Sequence, residues 1–473
     1  MNETLQKKRV LVIGLGASGL SAAHLLLEKG LPAEPESASR TDVELILNDY
    51  RDAVEGLEPF RERSNVRIVL GGHPSELLDG LDLIVLSPGV PELPILREAD
   101  ARSIPIVGEV ELASWSIESS LVAITGTNGK STVTTLLGAI AEAAGERYFM
   151  GGNLGVPLSE LARMDDAPEL GIVELSSYQL ERVDRFRAEI AILLNLSDDH
   201  LDRYEDFGAY AAAKGAIFKN QGPGDVAIVR VNDALSASLA RVGRGKVERY
   251  LDPEGVHIAQ GEIVDAVSGF RFPLSELALL GKHNHENACA AVLAARHLGY
   301  EDEVIARALR TFRGLPHRMM RVDEIEERLF IDDSKATNVG STLAALEGLR
   351  DHPGAIVLIA GGKDKGGSYA PLAPLAKEKL RALVALGEAR PLLSNAFSEL
   401  TEVRLAETMA EAVPLAFQLS RPGDLILLSP ACSSLDQYRS YIERGENFAE
   451  AVGALKERRN RELNGENGKR SER

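Results

Sequence analysis

Cysteine is scarce in this chain: Cys289 and Cys432 are the only two among 473 residues. Two thiols cannot build a disulfide framework or a four-ligand zinc site, and the usage fits a reducing cytoplasm. Long apolar runs are missing as well. Stretches such as Ile190–Leu196 and Ile356–Ala360 have strand length and fall far below the roughly 18 residues needed to span a bilayer. Positive charge is in deficit, with 53 Lys and Arg against 71 Asp and Glu and a net charge of −18. The resulting field repels phosphate polymers and anionic lipid surfaces, so neither nucleic acid nor membrane is expected as the main partner. The polar segment before Val10 is not a secretory signal. Aromatics make up 5% of the chain beside 43 Gly and 21 Pro, a composition that excludes collagen, coiled coil and wholesale disorder and suits a globular α/β protein.

At roughly 150 residues per domain the length predicts about three domains. Short aliphatic runs, each followed by a glycine-bearing loop and an Ala/Leu-rich amphipathic stretch, recur throughout, which is the pattern of βαβ units. Strands are predicted at 9–13, 43–47 and 81–86 in a first region, residues 1–109. They recur at 119–125, 171–173, 190–194 and 225–231 in a second, residues 110–314, and at 329–331, 356–360, 383–386 and 425–428 in a third, residues 315–473. The Pro-, Glu- and Ser-rich stretch 31–42 reads as a surface loop. From about residue 456 the charged sequence reads as a disordered tail, with too little apolar surface to order itself.

Chemistry-bearing residues cluster where strands end. Gly14-Leu15-Gly16-Ala17-Ser18-Gly19 follows the first strand and opens a helix, the G-x-G-x-x-G turn that lets backbone approach a pyrophosphate. The acidic residue ending the next strand, Asp49, comes later than the usual spacing of about 20 residues because of the loop insertion. Two readings stay open: a nucleotide site, including that of a dinucleotide-dependent dehydrogenase, or a glycine turn kept for packing. More specific is Gly126-Thr127-Asn128-Gly129-Lys130-Ser131-Thr132 after a strand, one glycine short of the full phosphate loop because position 124 is Ile. Its backbone N–H groups would cradle ATP phosphates, Lys130 would place a charge on the β/γ oxygens, and the Ser131 hydroxyl would ligate Mg²⁺. Glu174 ends the next strand, at the sheet edge where ligands bind, and would be a second anchor for a hard cation. His200, in the polar run after the following strand, is a candidate ligand.

Lys214, in an Ala-rich helical stretch, reads on its own as a solvated lysine. The segment 281–287, with Asn284 and Asn287, reads equally as a helix cap and as a base-reading element. Arg318 is either a linker charge or a phosphate contact. In the third region, residues 332–338, 360–365 and 427–437 bring lysines and hydroxyls after three strands; they suit a small dicarboxylate or, more plainly, are three capped loops. Cys432, flanked by Pro430 and serines, reads as structural.

Taken together, Gly126-Thr127-Asn128-Gly129-Lys130-Ser131, Glu174-Leu175-Ser176-Ser177, Asp199-His200-Leu201-Asp202-Arg203-Tyr204, His283-Asn284, Leu315-Pro316-His317-Arg318 and Asp333-Ser334-Lys335-Ala336-Thr337-Asn338 resemble the Mur ligase family, in that family's order. The Ser-Lys-Ala-Thr-Asn run is similar to the branch that adds D-glutamate. The resemblance implies an α/β fold of three domains: a Rossmann-like UDP-substrate domain over 1–109, a P-loop ATPase-like domain over 110–314 and a Rossmann-like amino-acid domain over 315–473. It implies an ATP-dependent ligase of cytoplasmic peptidoglycan precursor synthesis that joins D-glutamate to UDP-N-acetylmuramoyl-L-alanine through an acyl phosphate, working as a monomer on these small molecules. In that reading Lys130, His200 and Lys214 are catalytic, and Ser131, Glu174, His200 and Lys214, the last carbamylated, serve two Mg²⁺ ions. Gly126 to Thr132, Asn284, Asn287, Arg318 and Asp333 contact ATP. Ala17, Ser18, Asp49, Arg51, Ser87, Gly89 and Asn153 contact the UDP substrate, and Lys335, Thr337, Lys365, Ser434 and Tyr441 surround D-glutamate, with Lys363 as the alternative to Lys365. Another ligase branch and a non-catalytic nucleotide-binding regulator are the rival readings.

Overall fold

The computed structural model describes residues 8–32, 40–197, 203–277, 279, 281–314, 316–364, 366 and 368–470. The chain builds three large sheets. In the first, five parallel strands lie in the spatial order Val66–Leu70, Val43–Asp49, Lys8–Ile13, Leu83–Leu86, Ile106–Gly108. In the second, six parallel strands run Lys246–Tyr250, Val226–Arg230, Ile190–Leu193, Ser120–Thr125, Leu170–Glu174, Tyr148–Gly152. The third runs Met320–Ile325, Arg328–Asp332, Leu425–Leu428, Ile356–Gly361, Leu380–Leu386, Glu402–Leu405, with the first pair antiparallel and the others parallel. Central strands are covered on both faces, which is why they read as unbroken apolar runs. Val10, Leu11, Val12 and Ile13 are all fully buried.

The glycine turn after the first strand has a steric reason. A Cβ on Gly19 would come within 1.8 Å of the Gly14 carbonyl oxygen, so only glycine lets the helix Ala17–Lys29 pack this closely on the strand it follows. A Cβ on Gly16 would meet nothing within 4 Å, so that part of the turn is open to a ligand. The stretch 31–42, expected as loop, begins and ends in a two-residue antiparallel ladder, Leu31–Pro32 with Arg40–Thr41; its middle lies outside the described residues.

Packing gathers the chain into two compact units. One is the chain up to Phe272 together with Asn287–Ala308; the other is Pro273–Glu286 with Leu309 onward. The first unit holds two of these three large sheets, and their apolar surfaces merge into one core that includes Val10, Leu25, Val110, Leu158, Leu161 and Phe186. Within the second unit, both faces of the third sheet are covered by apolar side chains. No helix among the described residues is long and apolar enough to cross a membrane.

The expectation of disorder from about residue 456 is corrected. A helix runs from Tyr441 to Arg470. Its start buries Phe448, Val452 and Leu455 beside Phe330 and Ile325. Past them, Lys456 pairs with Asp323 at 2.7 Å and Arg459 with Glu326 at 2.7 Å. The composition argument weighed the charged segment alone, whereas a helix already nucleated on a docked first half needs only one more hydrogen bond per added residue. Phe448→Ala should therefore cost about 3–5 kcal/mol in urea unfolding, and a loss below about 1 kcal/mol would show that the helix is not held by its buried face.

Candidate active site

At the carboxyl edge of the second sheet, the strand Ser120–Thr125 feeds the loop 126–129 and the helix Lys130–Ala144. Gly129 is the helix N-cap with φ +86°, and a Cβ there would lie 2.4 Å from the Asn287 side-chain oxygen, so the loop needs glycine on two counts. Asn195, two residues past the neighbouring strand Ile190–Leu193, clamps the loop: its Oδ1 accepts from the Asn128 N–H at 2.9 Å, its Nδ2 donates to the Asn128 carbonyl at 3.0 Å, and its own carbonyl accepts from the Thr127 N–H. The Thr127 and Tyr210 hydroxyls lie 3.1 Å apart. Lys130 folds over the loop, its Nζ donating to the Gly126 and Thr127 carbonyls at 2.8 and 3.0 Å. Ser131 and Thr132 are buried in the first helical turn, where the helix dipole favours an anion.

Glu174 ends the strand beside the loop and is 2% exposed. Its Oε1 accepts from the Asn153 side chain at 2.6 Å, while its Oε2 is buried with no hydrogen-bond partner among the described residues. A buried carboxylate oxygen left in that state is costly unless a cation completes it. Magnesium fits the set: Glu174 and the Ser131 hydroxyl are oxygen donors, and such a site takes its remaining oxygens from phosphates and water. Among the described residues, no group of three or more His, Cys, Asp or Glu side chains could hold a metal ion. Lys214 corrects the plain reading of its sequence context. It is 2% exposed, its Nζ donates to the Gly126 carbonyl at 2.9 Å, and it sits 4.8 Å from the Tyr210 ring centre. His200 lies outside the described residues.

On the first sheet, the insertion before Asp49 does not displace it. Its carboxylate accepts from the Leu15 N–H at 2.8 Å and from the Arg51 guanidinium at 2.8 and 2.9 Å, and Arg51 holds it well below the usual carboxylate range. Ser87 donates its N–H to the Ile13 carbonyl and starts the turn that carries Gly89. Ala17, Ser18, Asp49, Arg51, Ser87 and Gly89 thus share one sheet edge, whereas Asn153 stands against Glu174. A cavity of about 660 Å³ lined by Ser119, Ser120 and Glu169 is at the opposite, amino-terminal edge of the second sheet.

In the second unit, three parallel strands end side by side, with Asp332 opposite Leu428 and Leu428 opposite Ile359. Asp333 accepts from the Ser429 hydroxyl at 2.9 Å, and burial pushes its carboxyl up to about 7, against the pull of Ser429 and Arg318. Lys335 Nζ lies 4.0 Å from the centre of the Tyr441 ring. Thr337 is half-buried, Ser434 is buried, and Lys363 exchanges backbone hydrogen bonds with Ser433 at 2.8 and 3.0 Å. Lys365 lies outside the described residues. Asn284 is buried one turn before Asn287 on the helix Lys282–His297. Cys432 is buried, its thiol 3.1 Å from the Tyr369 hydroxyl.

A phosphate loop backed by an unsatisfied carboxylate, with a Rossmann-like sheet before it and another sheet after it, defines a nucleotide-using α/β enzyme of several domains. Family models agree by segment: residues 8–108 match the MurD-like N-terminal domain of Mur ligases, 124–295 the Mur ligase middle domain, and 317–432 the Mur ligase glutamate ligase domain. The chain is 42% identical over 461 residues to UDP-N-acetylmuramoylalanine–D-glutamate ligase of Geobacter metallireducens, covering 95% of this chain and 98% of that one. The same-named protein of Pelotomaculum thermopropionicum is 41% identical over 466 residues, 96% of this chain and all of that one. Among solved structures, UDP-N-acetylmuramate-alanine ligase from Thermotoga maritima has a TM-score of 0.55 at 18% identity, and a pseudomurein peptide ligase type C from Methanothermus fervidus 0.56 at 17%, each covering 95% of this chain and 100% of the other. These two establish the fold alone. The chain belongs to the Mur ligase family, which sets aside the dehydrogenase reading of the first glycine turn.

The Asp333 carboxyl gives a pH test. Its folded value, about 7, lies above the ordinary 3.8, so its contribution to stability is complete below about pH 4 and is lost as pH rises to 7. The unfolding free energy of wild type minus that of Asp333→Asn should fall by up to about 4 kcal/mol between pH 4 and 7 and level off above. A pH-independent difference in urea titrations would rule out the raised carboxyl.

Proposed function

We propose that this chain joins D-glutamate to UDP-N-acetylmuramoyl-L-alanine at the expense of ATP, through an acyl phosphate, in the cytoplasm and as a monomer. The observation that carries the reading is the phosphate loop with the unsatisfied Glu174 oxygen at its side, in a chain about 40% identical along its length to ligases of that name. The choice of amino acid is supported by the resemblance of Ser334-Lys335-Ala336-Thr337-Asn338 to the D-glutamate-adding branch of the family.

A carboxylate is a poor electrophile, and the reaction remedies this in two steps. The alanyl carboxylate oxygen attacks the γ-phosphorus of ATP; the bond to the β–γ bridging oxygen breaks, releasing ADP and leaving an acyl phosphate. The D-glutamate amine then attacks the acyl carbon, the C–N bond forms, phosphate departs with the C–O electron pair, and the amine gives up a proton. The loop N–H groups and Lys130 bind and orient the triphosphate, Arg318 and Asp333 serve as further nucleotide contacts, and Asn284 and Asn287 frame the base side. Asp49, Arg51, Ala17, Ser18, Ser87 and Gly89 hold the uridine diphosphate end of the second substrate, while Asn153 beside Glu174 orients the end that reacts. Lys335, Thr337, Ser434, Tyr441 and a lysine of 363–365 hold D-glutamate. Ser131 and Glu174, with His200 and Lys214, would hold two Mg²⁺ ions, which when bound neutralise repulsion between the anionic reactants. The Lys214 side chain is buried; addition of CO₂ to its neutral amine, with loss of one proton, would convert it to a carbamate and make it an anionic ligand.

With UDP-N-acetylmuramoyl-L-alanine, ATP and Mg²⁺ present, phosphate release should depend on D-glutamate and not on L-glutamate, L-lysine or meso-diaminopimelate. Lys130→Ala should lower the rate by about 10³, and Lys214→Ala should lose activity that short carboxylic acids restore. Release with a different amino acid would reassign the third-sheet pocket, and turnover retained by Lys130→Ala would remove the loop from the mechanism.

A further inference from the structure

The second unit contains a charged side chain that the reaction scheme above does not use. Arg444, in the first turns of the helix Tyr441–Arg470, is 1% exposed and heads the largest fully buried side chains. Burial draws its guanidinium down to about 10, so it stays charged at neutral pH. All its hydrogen bonds go to neutral oxygens: Nε to the Ser334 hydroxyl at 3.0 Å, Nη2 to the Ser334 carbonyl at 2.8 Å, and Nη1 to the carbonyls of Gly361 at 3.3 Å and Cys432 at 3.2 Å. The Ser334 hydroxyl in turn donates to the Tyr441 carbonyl at 2.8 Å.

These partners lie at the ends of three different strands of the sheet: Gly361 is the last residue of one, and Ser334 and Cys432 are on the loops that follow the other two. Ser334 immediately precedes Lys335, Gly361 stands two residues before Lys363, and Cys432 two before Ser434. The fourth attachment, through Ser334, reaches Tyr441, whose ring lies against Lys335. One planar fork of five donors therefore fixes the spacing among the groups that would recognise both carboxylates of the amino acid. An ammonium is a point donor on a thinner stem and cannot span three strand ends at once.

Resting on the reading that the amino acid binds at this edge, we propose that Arg444 is the positioning residue of the amino-acid pocket, setting affinity for that substrate without touching it. The test is steady-state kinetics of the full chain carrying Arg444→Lys or Ser334→Ala, with each of the three substrates varied in turn and thermal melting followed by circular dichroism. Arg444→Lys should raise the KM for D-glutamate by about 30-fold or more, and Ser334→Ala by about 5-fold. KM for ATP and for the UDP substrate should stay within about 2-fold. A D-glutamate KM within about 2-fold of wild type, or three KM values rising together, would overturn the proposal. If Arg444→Lys does not fold, the same criteria applied to Ser334→Ala decide. Wild type that turns over only with another amino acid would refute the proposed function, and the Arg444 effect would then be read on that amino acid's KM.

Discussion

The ladder of parallel strands, with every carboxyl end pointing the same way, is the constraint on which the candidate site depends. A parallel strand enters and leaves its sheet on opposite edges, so each loop at the carboxyl edge starts from a fixed point set by the register of its neighbours. Thr125, Glu174 and Leu193 are placed by that register in the second sheet, as are Asp332, Leu428 and Ile359 in the third. Side chains far apart in sequence thereby reach one edge without any long-range element dedicated to bringing them there. The loops only have to decide the last few ångströms.

Those last ångströms are decided by groups that oppose stability in isolation. Glu174 keeps an oxygen buried without a hydrogen bond, Lys214 holds a side-chain nitrogen out of water, and burial drives the Asp333 carboxyl toward its neutral form. Each is tolerable because the surrounding structure over-determines it, and each is worth more to a bound anion or cation than a solvated group would be. Asn195 plays the complementary part. By satisfying the Asn128 backbone on both sides it holds the loop in shape, so a phosphate bound there would cost less ordering entropy.

What could be read from the sequence divides along a physical line. Every strand expected from the apolar pattern is a central strand, such as Lys8–Ile13, Ser120–Thr125 or Ile356–Gly361, whose two buried faces leave no room for polar residues. Within the three large sheets, the strands that the pattern does not mark are the edges: Val66–Leu70 and Ile106–Gly108, Tyr148–Gly152 and Lys246–Tyr250, Met320–Ile325 and Glu402–Leu405. They are short, or their apolar run is interrupted by polar residues or by glycines. The phosphate loop, Glu174 and the three strand-end loops were legible because glycine and charge stand out against apolar runs. Lys214 was not, since nothing in Phe207–Gly215 marks which face of the helix is covered. Asn195 had a faint signal as a lone amide after five apolar residues, Ile190–Leu194, all buried, and Arg444 had none, lying in a charged segment whose burial depends on distant loops.

The edge strands of the third sheet have a second consequence, for the behaviour of the chain in solution. An outermost strand exposes a row of unpaired N–H and C=O groups, a ready template for a strand from another molecule. Met320–Ile325 carries Arg321, Asp323 and Glu324, and Glu402–Leu405 carries Glu402 and Arg404. A second copy adding itself there would have to dehydrate these charges or bring like charges opposite one another. The residues that hide these strands from an apolar pattern are thus the same ones that guard the sheet against edge-to-edge aggregation, a protection that replacing them with valine or isoleucine would remove.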